Sequence, residues 1–391
     1  MATRAEPTVV EASDEHARRL HAESLVIDTL AGFGPRLYTP QALARMEHMI
    51  ERGRSPAEIV AALEGQKYRD LLSGQVPQFW RDWDEAGVDA VSVTVGGFGE
   101  RFFTSQNAVR DLARMSAVFD LLADRLVMVR AADDIEAARG TGKKAVILNF
   151  QNTTHLDDDL DNLEVFHDLG IRVMTLTYNT RNSVGDGCTT RTRAGLSHFG
   201  VEVVRAMNEI GIVVDVAHCC EATAMDAIET SDLPVAVTHS FCGDLSGHDR
   251  GMSDDVIRAI RETGGYFGVC VVPFFLTDQP HATLDHWLDH VDHAVALAGV
   301  EHVGIGTDWH REFPAPLVEL LNPQMRQVGF EERHRADWGA SLDGFASWHH
   351  WPNLTAALVR RGYRDDEVRG LLGENFLRLF RRYAPGRAGS R

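Results

Sequence analysis

Three short apolar runs in this sequence end in residues able to do chemistry. One closes on Asp215-Val216-Ala217-His218, a second on Thr238-His239-Ser240 and a third on Thr307-Asp308-Trp309-His310. Two more close on polar side chains, Asn149-Phe150-Gln151-Asn152 and Thr177-Tyr178-Asn179. Neutral imidazoles bind a borderline-soft divalent ion, and a carboxylate beside them takes a proton or completes the ion's shell. A lone histidine in such a place is more often a hydrogen-bonded structural residue, so the weight rests on His218, His239 and Asp308 together. His155, His167, His198, His248, His286, His290 and His293 fall on helical or loop segments without partner spacing. Cys219 and Cys220 adjoin His218 but read better as buried, inert thiols. The run Asp157-Asp158-Asp159 with Asp161 lacks the glycine and the terminal glutamate of a calcium loop and reads as a solvated helix N-terminus.

The elements that must position these residues can be read from periodicity. Eight apolar, β-branched-rich runs span 25–29, 88–95, 144–150, 172–179, 211–218, 234–240, 266–272 and 302–309. Most are continuously hydrophobic, as parallel strands covered on both faces are. Segments of helical period separate them, at 160–169, 199–210, 222–230, 253–263 and 284–298. Strand alternating with helix eight times predicts an α/β protein with a (β/α)8 TIM-type barrel. A doubly wound sheet is the alternative, but no GxGxxG turn follows the first run. In a barrel the C-terminal strand ends converge on one mouth, which is where the candidate residues fall. The whole of 1–391 is expected to be one barrel domain, with a helical insertion at about 36–85 and a Trp- and His-rich excursion at about 310–350. Such long connections serve as lids and substrate walls or as packed interfaces, and composition leaves both open.

Composition bounds the partners. Thirty-nine Lys+Arg against 57 Asp+Glu give a net charge of −18, which argues against nucleic acid and anionic membrane surfaces. Five cysteines outside any CxxC spacing fit a reducing compartment without a disulfide framework. The polar start MATRAEPTVVEASDEHARRL has no apolar signal-peptide core and no run is long enough to span a bilayer, so a cytoplasmic protein acting on a small molecule is expected.

From about Leu25 to Arg382 the chain resembles the membrane (renal) dipeptidase family of zinc peptidases. The matching stretches are DLGIRVMTLTYN, GLSHFGVEVVRAMNEIGIVVDVAH, PVAVTHS, HDRGMSDDVI, HVGIGTDW and WPNLTAALVRRGY with LLGENFLRLF. The resemblance implies a metal-dependent-hydrolase-like barrel carrying two zinc ions and cleaving dipeptides and related small amides. It implies second-metal ligands at His218 and His239, a substrate-carboxylate arginine at Arg250 and an aspartate near the attacking water at Asp308. A homodimer is also in keeping with the family. The chain departs from the pattern at three places. Leu30 and Gly32 stand where a His-x-Asp pair supplies the first metal, Gln151 replaces the bridging glutamate, and Tyr178 replaces a substrate-binding histidine. Two ions about 3.5–4 Å apart need charged bridging ligands, and these substitutions remove them. One divalent ion, zinc by ligand type, held by His218, His239 and Gln151 or Asp308, is expected, or none.

Three functions follow. The first is hydrolysis of an amide C–N bond in a small carboxylate-bearing molecule, with Asp308 as general base, Tyr178 orienting the carbonyl, and Arg250 and Asn152 binding substrate. The second is acid–base chemistry without hydrolysis (a lyase, isomerase or decarboxylase) using Asp308, His310 and Tyr178. The third is an inactive binding protein on the same barrel. Survival of the strand-end set favours an enzyme.

Overall fold

A computed structural model of the chain describes residues 9–33, 38–97, 103–279, 281–308 and 313–384. Eight parallel strands form one continuous sheet in chain order. They are β1 (Ile27–Ala31), β2 (Ala90–Thr94), β3 (Lys144–Phe150), β4 (Ile171–Thr175), β5 (Val213–Asp215), β6 (Ala236–Ser240), β7 (Tyr266–Val269) and β8 (Val303–Ile305). A short extra strand, Leu126–Met128, pairs with the outer start of β3. Nearly every strand residue is buried, as the continuous hydrophobic runs require. The five helical segments fall at Asp161–Asp168, His198–Ile210, Glu221–Thr230, Asp254–Glu262 and Leu284–Ala298.

The sheet curls into a nearly closed barrel whose seam lies between β1 and β8. The Asp308 N–H donates to Leu30 O at 2.8 Å across it. The buried Asp28 carboxylate stitches the same seam, accepting from Thr307 N–H at 2.9 Å and Thr307 Oγ1 at 2.6 Å. Trp348 Nε1 and Trp351 Nε1 donate to it at 2.9 and 3.3 Å. Gly306 is obligatory here, because a Cβ would lie 2.1 Å from the Thr238 carbonyl oxygen.

The strands are shorter than the apolar runs, and the difference carries the site. Tyr178, His218 and Asp308 each lie three residues past the last ladder residue of β4, β5 and β8. They sit where the chain turns over the barrel mouth, not on the strands. The first strand is displaced two residues from its predicted span, so Leu30 and Ala31 are the end of β1.

Three helices build the insertion, Pro40–Glu51, Pro56–Leu72 and Pro77–Ala86. Each opens on proline, whose fixed φ and missing N–H suit the first helical turn. Ser55 and Glu58 cap the middle helix reciprocally, and Thr39 caps the first through Ala42 N–H. Ala42, Met46, Ile59 and Leu63 form a small separate core with Leu317 from the excursion after β8. Removing a side chain such as Leu63 from that core would cost about 2–5 kcal/mol. Insertion and excursion therefore hold each other over one side of the mouth.

Candidate active site

The barrel mouth opens into a cavity of about 440 Å³, within the range of small-molecule sites. Its floor is made of strand ends: Leu30, Gly32, Thr94, Gln151, Tyr178 and Asp308. Its walls come from the insertion, the helix Ser105–Leu121 and the excursion, including Leu63, Leu317 and Trp338. Both long connections thus contribute residues to the cavity wall.

Below this floor lie the paired histidines. His218 and His239 are 3% and 0% exposed, and the Tyr178 ring stacks on His218 with centroids 4.2 Å apart. Hydrogen bonds fix both rings. Asn179 donates Nδ2 to Val328 O at 2.7 Å, which turns its Oδ1 to accept from His218 Nδ1 at 2.7 Å. The Thr238 hydroxyl donates to Asp215 Oδ2 at 2.8 Å, so Thr238 Oγ1 accepts from His239 Nδ1 at 2.8 Å. Both Nε2 atoms are left as lone pairs, 2.9 Å apart. Burial first, and the Arg250 cation second, hold both imidazoles well below their ordinary pKa. Two neutral imidazoles with opposed lone pairs and anchored Nδ1–H groups are oriented as ligands of a cation are.

The side chains at the departing positions do not supply the ligands of a two-ion centre. Leu30 offers no donor and Gly32 no side chain. Gln151 is a neutral amide whose Nε2 donates to Thr94 Oγ1 at 2.7 Å. Among the described residues no three His, Cys, Asp or Glu side chains cluster as a metal site, so Asp308 does not join the two histidines as a third ligand in this geometry. Gln151 keeps an amide oxygen that could serve as a donor, and it lies on the cavity lining.

Asp308 stands on the cavity side. Its backbone is left-handed, φ 50°, which aspartate tolerates better than most residues at a cost of order 1 kcal/mol. Burial chiefly, and the Asp28 charge in addition, raise its pKa to about 7 against the opposing pull of Arg250. Asp28 itself is raised to about 6 by burial, against the hydrogen bonds it accepts. A carboxyl group poised near neutrality in a cleft is a candidate acid or base.

Two predicted substrate contacts are placed elsewhere. Arg250 is 1% exposed and does not line the cavity; its guanidinium is turned onto backbone carbonyls. Asn152 also lies off the lining, its Oδ1 accepting from Thr154 N–H at 3.1 Å and Asn182 Nδ2 at 2.7 Å to hold the following turn. His310 lies outside the described residues. Cys219 and Cys220 are buried thiols with no disulfide, burial raising the Cys219 pKa.

The sequence reading passed over Asp28 and the polar wall residues Glu64, Lys67, Arg110, Asp111 and Arg114. The wall residues carry a signal after the fact, since they repeat at helical spacing of three and four on two helices.

Comparison with known proteins agrees with the fold. Residues 16–322 match the family described as membrane dipeptidase (peptidase family M19). The dipeptidase tcpJ of Claviceps purpurea is 27% identical over 270 residues, covering 68% of this chain and 57% of that protein. The dipeptidase verJ of Clonostachys rogersoniana is 28% identical over 261 residues, 66% of this chain and 60% of that protein. The chain thus spans less than two thirds of the length of these curated relatives. Among solved structures, an amidohydrolase from Pseudomonas aeruginosa superposes with a TM-score of 0.74 at 27% identity, covering 95% of this chain and 99% of that one. A metallo peptidase from Rhodobacter sphaeroides, liganded with a phosphinate mimic of the dipeptide L-Ala-D-Ala, gives a TM-score of 0.69 at 19% identity over 92% and 100% of the two chains. That likeness is one of fold.

Proposed function

Because this chain belongs to the membrane dipeptidase family, peptidase family M19, we propose that it hydrolyses an amide C–N bond in a small carboxylate-bearing molecule, with one divalent ion in place of two. The observation that carries this reading is the pair of neutral imidazoles whose Nε2 lone pairs oppose each other at 2.9 Å. His218 and His239 would hold the ion, zinc by ligand type, with Gln151 as a third, oxygen donor. When bound, such an ion supplies Lewis-acid polarisation of water and of the scissile carbonyl.

The protein's own groups do the rest. Asp308, poised at about 7, takes the proton of the attacking water and returns it to the leaving amine nitrogen. A group half ionised near neutrality serves both steps. Tyr178, packed on His218 and facing the cavity, orients the substrate carbonyl. The apolar walls exclude bulk water and sharpen these interactions. The five free, buried thiols accord with work in a reducing compartment such as the cytoplasm.

The test is amine release from a panel of dipeptides and N-acyl amino acids, before and after chelation and dialysis. Metal-dependent cleavage, lost in Asp308→Asn, is expected. An undiminished rate after chelation would sink the hydrolytic reading. One observation favours a second reading, acid–base chemistry without an ion: the histidines lie beneath Tyr178, off the cavity surface. In that case turnover survives the chelator and is lost in Tyr178→Phe.

A further inference from the structure

Arg250 is committed to the interior. Its Nη1 donates to Ala217 O and, at 3.3 Å, to Ser240 Oγ, and its Nη2 donates to His239 O at 2.9 Å. The guanidinium thus ties the carbonyl before His218 to that of His239 and acts as a positioning group for the imidazole pair. Charge in the cavity is supplied from another side. The helix Pro56–Leu72 turns Glu64, Lys67 and Tyr68 to the cavity, and the helix Ser105–Leu121 turns Asn107, Arg110, Asp111 and Arg114 to it. Lys67 pairs with Glu64 at 3.2 Å and Arg114 with Asp111 at 2.7 Å. Arg110 donates to the neutral Asn107 Oδ1 at 2.7 Å. Among the described lining residues three cations therefore meet two carboxylates on this wall, and Asp308 on the floor is the third carboxylate of the cavity. The remaining lining is largely apolar, with Phe33, Phe103, Phe313, Leu317, Leu321 and Trp338.

We infer that the cavity takes an amphipathic anion, its acyl or aryl body lying on the apolar lining and its carboxylate held by the wall of Lys67, Arg110 and Arg114. This assignment rests on the cavity being the substrate site of the proposed hydrolase. It moves anion recognition from the barrel strands to the insertion and the helix after β2. Guanidinium groups suit the task because their planar fork meets a carboxylate with two parallel hydrogen bonds. The apolar lining favours a substrate larger than a dipeptide of small residues, since an apolar wall stabilises only what covers it.

The inference can be tested without knowing the substrate. 8-Anilinonaphthalene-1-sulfonate and N-phenyl-1-naphthylamine share an aromatic body, and only the first carries an anion. Both fluoresce on entering an apolar cavity, so affinity is read by titration at low ionic strength. One site per chain is expected, with the sulfonate bound about tenfold more tightly, the effect of one charge-assisted contact. Arg110→Gln with Arg114→Gln should abolish that preference and leave the neutral probe unchanged. Arg110→Glu, at an exposed position, should do the same without disturbing the Arg114–Asp111 pair. Leu317→Asp should weaken both probes. Equal affinity for the two probes in the native protein, or a preference kept in both arginine variants, would overturn the inference. Asp308→Asn should keep the sulfonate preference. A native protein that shows the preference but cleaves no amide would refute the hydrolase reading and leave this one standing.

Discussion

Replacing Asp28 by asparagine should separate the two carboxylates at the barrel seam, making the protein less stable and its candidate base easier to ionise. Asp28 Oδ1 accepts from Thr307 N–H and Leu30 N–H, and Oδ2 from Thr307 Oγ1, Trp348 Nε1 and Trp351 Nε1. An asparagine oxygen can serve only one of these sets. Either the two backbone N–H groups or the two indole N–H groups then face an amide NH2. Two buried donors stranded at about 1–3 kcal/mol each give a loss of about 2–6 kcal/mol. The same change removes the negative charge that helps hold Asp308 at about 7 instead of its ordinary 3.8. Burial is the larger cause of that rise and the Asp28 charge the smaller, so the midpoint should fall yet stay above 3.8. At pH 6 the ionised fraction of Asp308, about a tenth at a pKa of about 7, would then rise. Urea unfolding reads the first effect. NMR titration of carboxyl-labelled aspartate in chelated protein reads the second, and the pH profile of kcat/KM should move with it. An Asp308 midpoint unchanged by the substitution, or already near 4 in the native protein, would refute the reasoning.

Three further outcomes are expected. Asp308→Asn should stabilise the protein at pH 8 by about 2–4 kcal/mol, because a folded pKa of about 7 makes ionisation cost stability as pH rises through it. Denaturation at pH 8 and pH 4 checks this, the gain vanishing at the lower pH, where the native carboxyl is protonated in the fold. Arg250→Met should destabilise by about 2–6 kcal/mol, by leaving the two carbonyls of Ala217 and His239 without their donor; urea midpoints would show it, and a loss under 1 kcal/mol would contradict the buried placement. Elemental analysis of native protein should find at most one zinc, manganese or iron per chain, lost in His218→Ala with His239→Ala. The combination Leu30→His, Gly32→Asp and Gln151→Glu should raise the content towards two, and two ions in the native chain would contradict the one-ion reading.

The barrel was legible because burial on both faces leaves an uninterrupted apolar run, and Lys144–Phe150 is found where that pattern places it. Strand ends were less so, since residues such as Val216 and Ala217 stay buried after leaving the ladder and hydrophobicity does not mark the departure. His218, His239 and Asp308 could be found by chemical type at the ends of those runs. Arg250 is a different case: the resemblance places it near substrate, and its place in the chain says nothing of whether the guanidinium faces a cavity or the carbonyls of Ala217 and His239 to which it donates. Asp28 was hidden for a different reason: an aspartate inside an apolar strand gains meaning only through tryptophans more than 300 residues away. The wall of Lys67, Arg110 and Arg114 was written in helical spacing, but two helices had to meet before it formed a surface.

The seam has a consequence for how the chain is made. Asp28 leaves the ribosome early, and its partners follow 279 residues later at Thr307 and 320 residues later at Trp348. At typical elongation rates that interval is on the order of 15–60 s. Throughout it the first strand carries a carboxylate whose buried partners do not yet exist, and the two barrel edges are unpaired. Asp308 arrives with the segment that closes the gap. A nascent chain can therefore assemble much of the barrel and still lack its candidate acid–base group, so that under the proposed function catalytic competence would be among the last properties the growing protein acquires.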